Sequence, residues 1–240
     1  LFGGYLVGVS QDLSEPVQGA LLLSAILALR RSAWWWAALL LTAAALTRET
    51  SLVLSAAVFA VAAVGLWRQT ASRPPLWVGL VPIIGYAGWR TWVRSRWSDA
   101  VPAPPGDNIL TWPLWGLARE IGISLVELPS HAPNLVLVVL AVTVVGVLGC
   151  QLAQPGAGLP HERLALAAYL LLLACLPIWD RNQAYLRWCC EPVLLGSVVL
   201  LGTRWATRRL LALGVVVAVL WAATAAATVR YPGTEGWTGA

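Results

Sequence analysis

Eight apolar runs, each about 14 to 20 residues long and separated by charged breaks, constrain this chain more than any other feature. They cover 16–29, 32–46, 51–67, 76–93, 135–153, 164–178, 189–206 and 210–229, with 1–9 reading as the tail of a further run. A helix that crosses a bilayer needs about 20 residues, within a usual range of roughly 17–25. The shorter runs must therefore use polar end residues or lie against neighbouring helices. The stretch 32–67 as one helix would be roughly 54 Å long at 1.5 Å per residue. The break Thr47-Arg48-Glu49-Thr50 in its middle predicts a hairpin of two short helices instead. Hydrophobic residues make up 59% of the chain and charged residues 11%, with a mean hydropathy of +0.73. A soluble domain carries about a quarter charged residues, so too few polar groups are present to cover a globule in water. The expectation is an all-α polytopic transmembrane bundle of about eight spans, forming a single transmembrane domain over 1–240. The 15 tryptophans fit that medium, because indole gathers at membrane–water interfaces.

All 16 basic residues are arginine, and the chain opens on Leu1 without any methionine. The expectation is that further sequence precedes it. The Ala- and Arg-rich usage points to a bacterial, GC-rich source and a multi-pass plasma-membrane protein. The four cysteines, Cys150, Cys175, Cys189 and Cys190, have no zinc-like spacing and read as small apolar residues in packed helices. No metal, cofactor or nucleic-acid partner is expected. His131 and His161 are isolated and read as loop surface.

Placing Arg30 and Arg31 in the cytoplasm fixes the other loops by alternation. One side then carries eight arginines against the single carboxylate Glu162, and the other carries eight arginines against ten carboxylates. The arginine counts alone do not separate the sides, since the rule for orientation concerns basic residues. The carboxylates do, and they fall on the extracytoplasmic side. The longest polar stretch is the outer loop 94–134. Leu114, Leu117, Ile121, Leu125 and Leu128 recur within it at spacings of three and four. That puts them on one helical face, with Arg119, Glu120 and Glu127 on the other. An amphipathic helix lying in the membrane interface is expected there.

Ionisable side chains inside spans mark transport pathways, and the middles of these spans are clean. Charge gathers instead at one surface, which favours chemistry or binding at the outer interface. Four clusters carry it. Asp12 and Glu15 precede a helix start at Pro16, where they serve either as dipole-favoured caps or as carboxylates that orient or deprotonate a hydroxyl. Arg48 and Glu49 lie between two short apolar runs, either as helix-end charges or as a guanidinium facing a lipid phosphate. Arg90, Arg94 and Arg96 interleave with Trp89, Trp92 and Trp97, either as an interfacial anchor belt or as phosphate ligands. Asp180, Arg181, Arg187 and Glu191 read as salt-bridged loop residues.

The segment DLSEPVQGALLLSAILAL, a basic turn, and then AALTRETSLVLSAAVFAVAAV resembles the middle of a GT-C type membrane glycosyltransferase. These multi-spanning enzymes use polyprenyl-phosphate sugars on the extracytoplasmic side. The resemblance covers mainly residues 1–70 and then the general layout. It implies catalytic roles for Asp12 and Glu15, and donor binding by Arg48 and Glu49 and by Arg90, Arg94 or Arg96. It also implies that the main catalytic carboxylate of the family lies upstream of Leu1. The expected partners are the bilayer, a polyprenyl-phosphate-linked sugar donor, and a glycan, lipid or protein acceptor. Two alternatives stay open. One is a non-enzymatic transporter or assembly subunit, and the other is a ligase or polymerase of lipid-linked glycans.

Overall fold

The computed structural model describes residues 14–70, 73–97, 110–128, 132–154, 156, 158–177, 179, 184–202 and 207–230. The described residues are helical, with no strand among them. In chain order the helices are α1 (Glu15–Arg30), α2 (Trp34–Thr47), α3 (Leu52–Trp67), α4 (Leu76–Arg96), α5 (Trp115–Val126), α6 (Ala132–Gly149), α7 (Pro160–Cys175), α8 (Ala184–Trp188), α9 (Cys190–Leu201) and α10 (Thr207–Arg230). They fall on the apolar runs, and α5 falls on the expected amphipathic segment. Two stretches, Glu49–Trp67 and Asn134–Ala153, at 19 and 20 residues, are long and apolar enough to cross a membrane. Trp34–Thr47 and Leu210–Ala226 are shorter apolar helices. The chain divides into two compact units. An N-terminal unit holds Val17–Asn108 with Leu159–Ala168, and a C-terminal unit holds Leu1–Pro16, Ile109–Gly158 and Tyr169–Ala240.

In the N-terminal unit, α1 starts with acidic Glu15 and ends with basic Arg30, each sign matched to its end of the helix dipole. Arg48 then stops α2 by turning extended, at φ −156° and ψ 128°, and a 3-10 turn over Glu49–Ser51 leads into α3. The expected hairpin is present, but its two arms are not each other's main neighbours. Instead α4 packs against both α2 and α3. Glycine makes that possible. A Cβ on Gly79 would sit 2.5 Å from the Phe59 nitrogen and the Ser55 oxygen of α3, and one on Gly85 would sit 3.2 Å from Thr42 of α2. Buried Ala37, Ala38, Ala44 and Ala45 on α2 and Ala57 and Ala62 on α3 keep the core thin.

Directions within this unit follow from the contacts. Gln18 near the start of α1 bonds to Thr50 and Ser51 in the turn before α3. Trp35 lies against Trp77, their rings 4.4 Å apart, and Thr42 lies against Gly85. Thus α2 and α4 run the same way, opposite to α1 and α3. One end of the unit then carries Gln18, Arg48, Glu49 and the last turns of α4. The other carries Arg30, Arg31, Arg68, Arg73 and the start of α7.

In the C-terminal unit, α6 buries Leu137, Val138, Ala141, Val144, Val145 and Leu148 along one stripe. This is the spacing of a helical face. The stripe packs on α9 and α10. Helix α9 is buried on nearly all sides, and its Gly196 lies so close to Leu148 that an added Cβ would be 2.6 Å away. Cys189 and Cys190 are core residues here, and Cys175 is half-buried. Cys150 departs from the packed-helix expectation, since it is exposed in the 3-10 turn that follows α6.

Helix α5 is pinned to the end of α7. The Thr111 and Leu114 amides donate to the Cys175 and Ala174 carbonyls at 2.7 and 2.6 Å. A Cβ on Gly116 would meet the Leu176 oxygen and Pro177 Cα at 2.7 Å. The buried face of α5 is Gly116, Glu120 and Ser124. Its apolar residues Leu114, Trp115, Leu125 and Val126 are exposed. The helix therefore docks through Gly116, Glu120 and Ser124 with Leu117 packed against the core, while Arg119 and Glu127 of the expected polar face are exposed.

Candidate functional site

Glu15, in the first turn of α1, is fully buried and forms an ion pair with Arg187 of α8. The Arg187 Nε donates to Glu15 Oε1 at 2.6 Å, and the arginine side chain keeps 33% of its surface exposed. The loop cluster expected around 180–191 thus supplies a partner for one of the two candidate catalytic carboxylates. The pair lies within the C-terminal unit. Asp12, the other candidate, lies outside the described residues, as do His131, Asp180 and Arg181.

The outer-loop helix contributes a second polar group in the same unit. Asn134 Nδ2 donates to Glu120 Oε1 at 2.8 Å, and the Ser124 hydroxyl donates to the same oxygen at 3.3 Å. The Tyr185 hydroxyl donates to Asn134 Oδ1 at 3.1 Å. Tyr185 stacks on Trp179 with ring centroids 5.5 Å apart. Trp179 is buried, and its indole N–H has no acceptor among the described residues. Sequence spacing put Glu120 on one face with Arg119 and Glu127 but gave no sign that Glu120 alone turns inward while those two stay exposed.

In the N-terminal unit the arginines of interest share one end. Arg48 terminates α2 and is half-buried, and Glu49 is exposed in the turn that follows. By the register of the Trp35–Trp77 and Thr42–Gly85 contacts, Arg48 falls level with Arg90 on α4. Arg90, Arg94 and Arg96 are exposed on the last turns of α4, where cations suit the helix dipole. The tryptophans between them form a ladder. Trp89 and Trp92 stack at 5.1 Å, and Trp97 meets Trp92 edge-on at 5.2 Å. The side chains expected to hold a phosphate therefore lie at one end of the unit, on two helix ends, and Glu49 among them would oppose an anion. Thr50, which could have capped α3, instead accepts from Gln18 Nε2 at 3.0 Å, beside Ser51 at 2.8 Å. Gln18 is buried and escaped the sequence reading, since a single glutamine in an apolar run carries no spacing signal.

The opposite end of this unit holds a charged clamp. Arg30 Nε and Nη2 donate to the two carboxylate oxygens of Glu162 at 2.8 and 2.9 Å. The Leu159 amide donates to the same carboxylate at 2.9 Å. The hydrogen bond to Glu162 raises the Arg30 guanidinium above its ordinary value. His161 corrects an expectation. It is not loop surface but lies 5% exposed in the first turn of α7, beside this clamp, and its Nε2 has no partner among the described residues. The reason is tertiary: Glu162 draws the start of α7 onto Arg30, and the neighbouring histidine is covered with it. Burial pushes His161 below its ordinary value and the nearby Arg30 adds to this, while Glu162 works against it.

Among the described residues, no three histidine, cysteine or acidic side chains gather as metal ligands. Comparison with known protein families, curated proteins and solved structures returned no match.

Proposed function

We propose that this chain is a polytopic membrane glycosyltransferase that moves a sugar from a polyprenyl-phosphate donor to an acceptor hydroxyl at the extracytoplasmic face. One observation carries the membrane half of the reading: three carboxylates are enclosed while large apolar side chains face outward. Glu15 and Glu162 are 0% exposed and Glu191 is 2% exposed, whereas Trp35 is 79%, Trp67 82%, Trp112 84%, Leu201 84% and Val126 85% exposed. Water would reward the opposite arrangement. An apolar medium rewards this one, since polar groups there must find partners inside the protein. The outward Leu114, Trp115, Leu125 and Val126 of α5 suit a helix resting on the lipid interface.

The two ends of the N-terminal unit also fit the sides assigned from the loops. Arg48, Glu49, Arg90, Arg94 and Arg96 share the end expected outside, and Arg30, Arg31, Arg68 and Arg73 share the end expected in the cytoplasm. The sugar-transfer half rests on the resemblance over residues 1–70. It also rests on what the chemistry requires. The phosphate is already an anionic leaving group, so fixed cations for it and a carboxylate for the acceptor suffice. Arg48, Arg90, Arg94 and Arg96 are proposed for the first task and Asp12 and Glu15 for the second. Glu15 would act on an acceptor only when Arg187 releases it.

The test is transfer of radiolabelled sugar from a panel of polyprenyl-phosphate sugars, in membranes from cells expressing the protein. Arg48→Lys should lower transfer at least roughly tenfold, because lysine keeps the charge but loses the planar fork that matches phosphate. Insertion should stay normal, since both side chains serve equally as interfacial anchors. Full activity in both Arg48→Lys and Glu15→Gln would remove these residues from the site. Saturable solute uptake by the reconstituted protein would replace the enzyme reading with a carrier.

A further inference from the structure

We infer that Glu120, Asn134 and Tyr185 are positioning residues that hold the Arg187 guanidinium on Glu15, and so govern when that carboxylate can meet an acceptor. What Glu15 does there rests on the functional reading above; the holding itself rests on geometry within the C-terminal unit. Helix α8 has five residues and joins α9 through Cys189, whose amide donates to the Tyr185 carbonyl at 2.9 Å. Its free end is held by side-chain contacts, since so short a helix is marginal by its own hydrogen bonds. Two of its residues make the contacts described above. Tyr185 is fully buried, stacks on Trp179, and donates a hydrogen bond from its hydroxyl to Asn134 Oδ1, while Asn134 Nδ2 donates to Glu120. Arg187, two residues on, projects to the far side of the helix, because successive residues are about 100° apart. There it meets Glu15. Any fraying of α8 from its junction with α9 that loosens Tyr185 also shifts Arg187.

The chain of bonds is well suited to the task. It ends on Glu120 Oε1, which accepts from both Asn134 and Ser124. Its middle member, Asn134, is buried and uses both ends of its amide, which fixes its orientation. That acceptor, Glu120, belongs to the helix that exposes Trp115, Leu125 and Val126. The element that grips α8 is thus the one proposed to rest on the lipid surface, which ties the state of Glu15 to the seating of α5.

The experiment measures arginine modification by phenylglyoxal, site by site with mass spectrometry, on the full chain in mild detergent. Arg187 and Arg30 make a matched pair, since both are ion-paired and their side chains are 33% and 37% exposed. Tyr185→Phe removes one hydroxyl and keeps the ring on Trp179. It should raise Arg187 modification about fivefold, the effect of one net hydrogen bond, and leave Arg30 unchanged. Asn134→Leu should raise it further, and Glu120→Gln, which keeps an acceptor oxygen for Asn134, should stay near the parent rate. An unchanged Arg187 in Tyr185→Phe overturns the inference, and so does a rise in which Arg30 keeps step, since that reports general loosening. A protein that transfers no sugar yet shows the selective rise at Arg187 keeps the inference and loses the functional reading.

Discussion

Gly79→Ala should destabilise the N-terminal unit by about 3 kcal/mol, the upper part of the range for overpacking a tight core. The added methyl would lie 2.5 Å from the Phe59 nitrogen and the Ser55 oxygen and 2.8 Å from Phe59 Cβ. Two of those atoms are helix backbone, so no rotamer change relieves the clash and α3 and α4 must move apart. Gly88 on the same helix is the control, because a Cβ there meets nothing within 4 Å. Gly88→Ala should stabilise by roughly 0.5–1 kcal/mol, through the entropy that glycine loses in a helix interior. Denaturation midpoints of the two variants in mild detergent check both signs. Equal midpoints would mean that α3 and α4 do not cross at Gly79.

Arg30→Leu should cost about 3 kcal/mol, the lower end for breaking a buried pair, because Arg30 itself is 37% exposed. The harm lies with Glu162, whose side chain is fully buried and would keep only the Leu159 amide among the bonds described here. Adding Glu162→Gln should recover much of the loss by removing the stranded charge, a coupling that independent sites would not show. The same clamp gives stability a pH dependence through His161, which faces Glu162 and Arg30. Its value in the folded protein lies below the ordinary one, so the unfolded chain binds the proton more readily. Stability is then complete above about pH 6.5 and falls as the pH drops through the folded value. His161→Gln should flatten that acid slope. A slope that survives the change would assign the titration to another group.

The positions of the helices were legible because apolar runs and charged breaks report directly on where backbone groups must bond among themselves. The hairpin at Arg48 and the helix over Trp115–Val126 were read in the same way. What spacing could not supply was the partner of each polar residue. Glu15 meets Arg187 across 172 positions, and Arg30 meets Glu162 across 132. Pairing over such separations is decided by packing, on which a local pattern is silent. The same ignorance placed His161 on a surface loop, when Glu162 beside it draws that turn inward. It also left open which way α5 faces, since an amphipathic pattern defines two faces but not the medium each one meets. The four candidate arginines of the N-terminal unit could be assigned to one side by counting spans. Their gathering at one end needed the parallel register of α2 and α4.

Helix length has one more consequence. With 14 residues, α2 is about 21 Å long, whereas the hydrocarbon core of a bilayer is about 30 Å thick. Its first turn has no side-chain cap, so those amides depend on water for partners, whereas the first amide of α3 donates to the Glu49 carbonyl of the preceding turn. In the proposed setting the membrane beside α2 must therefore thin until its wet boundary reaches the helix ends, a case of hydrophobic mismatch. Cryo-electron microscopy in lipid nanodiscs should show this as a dimple beside α2, and a flat bilayer there would count against α2 as a full span. A lipid carrying a phosphate would find, at such a dimple, its headgroup drawn down toward Arg48 without leaving the leaflet.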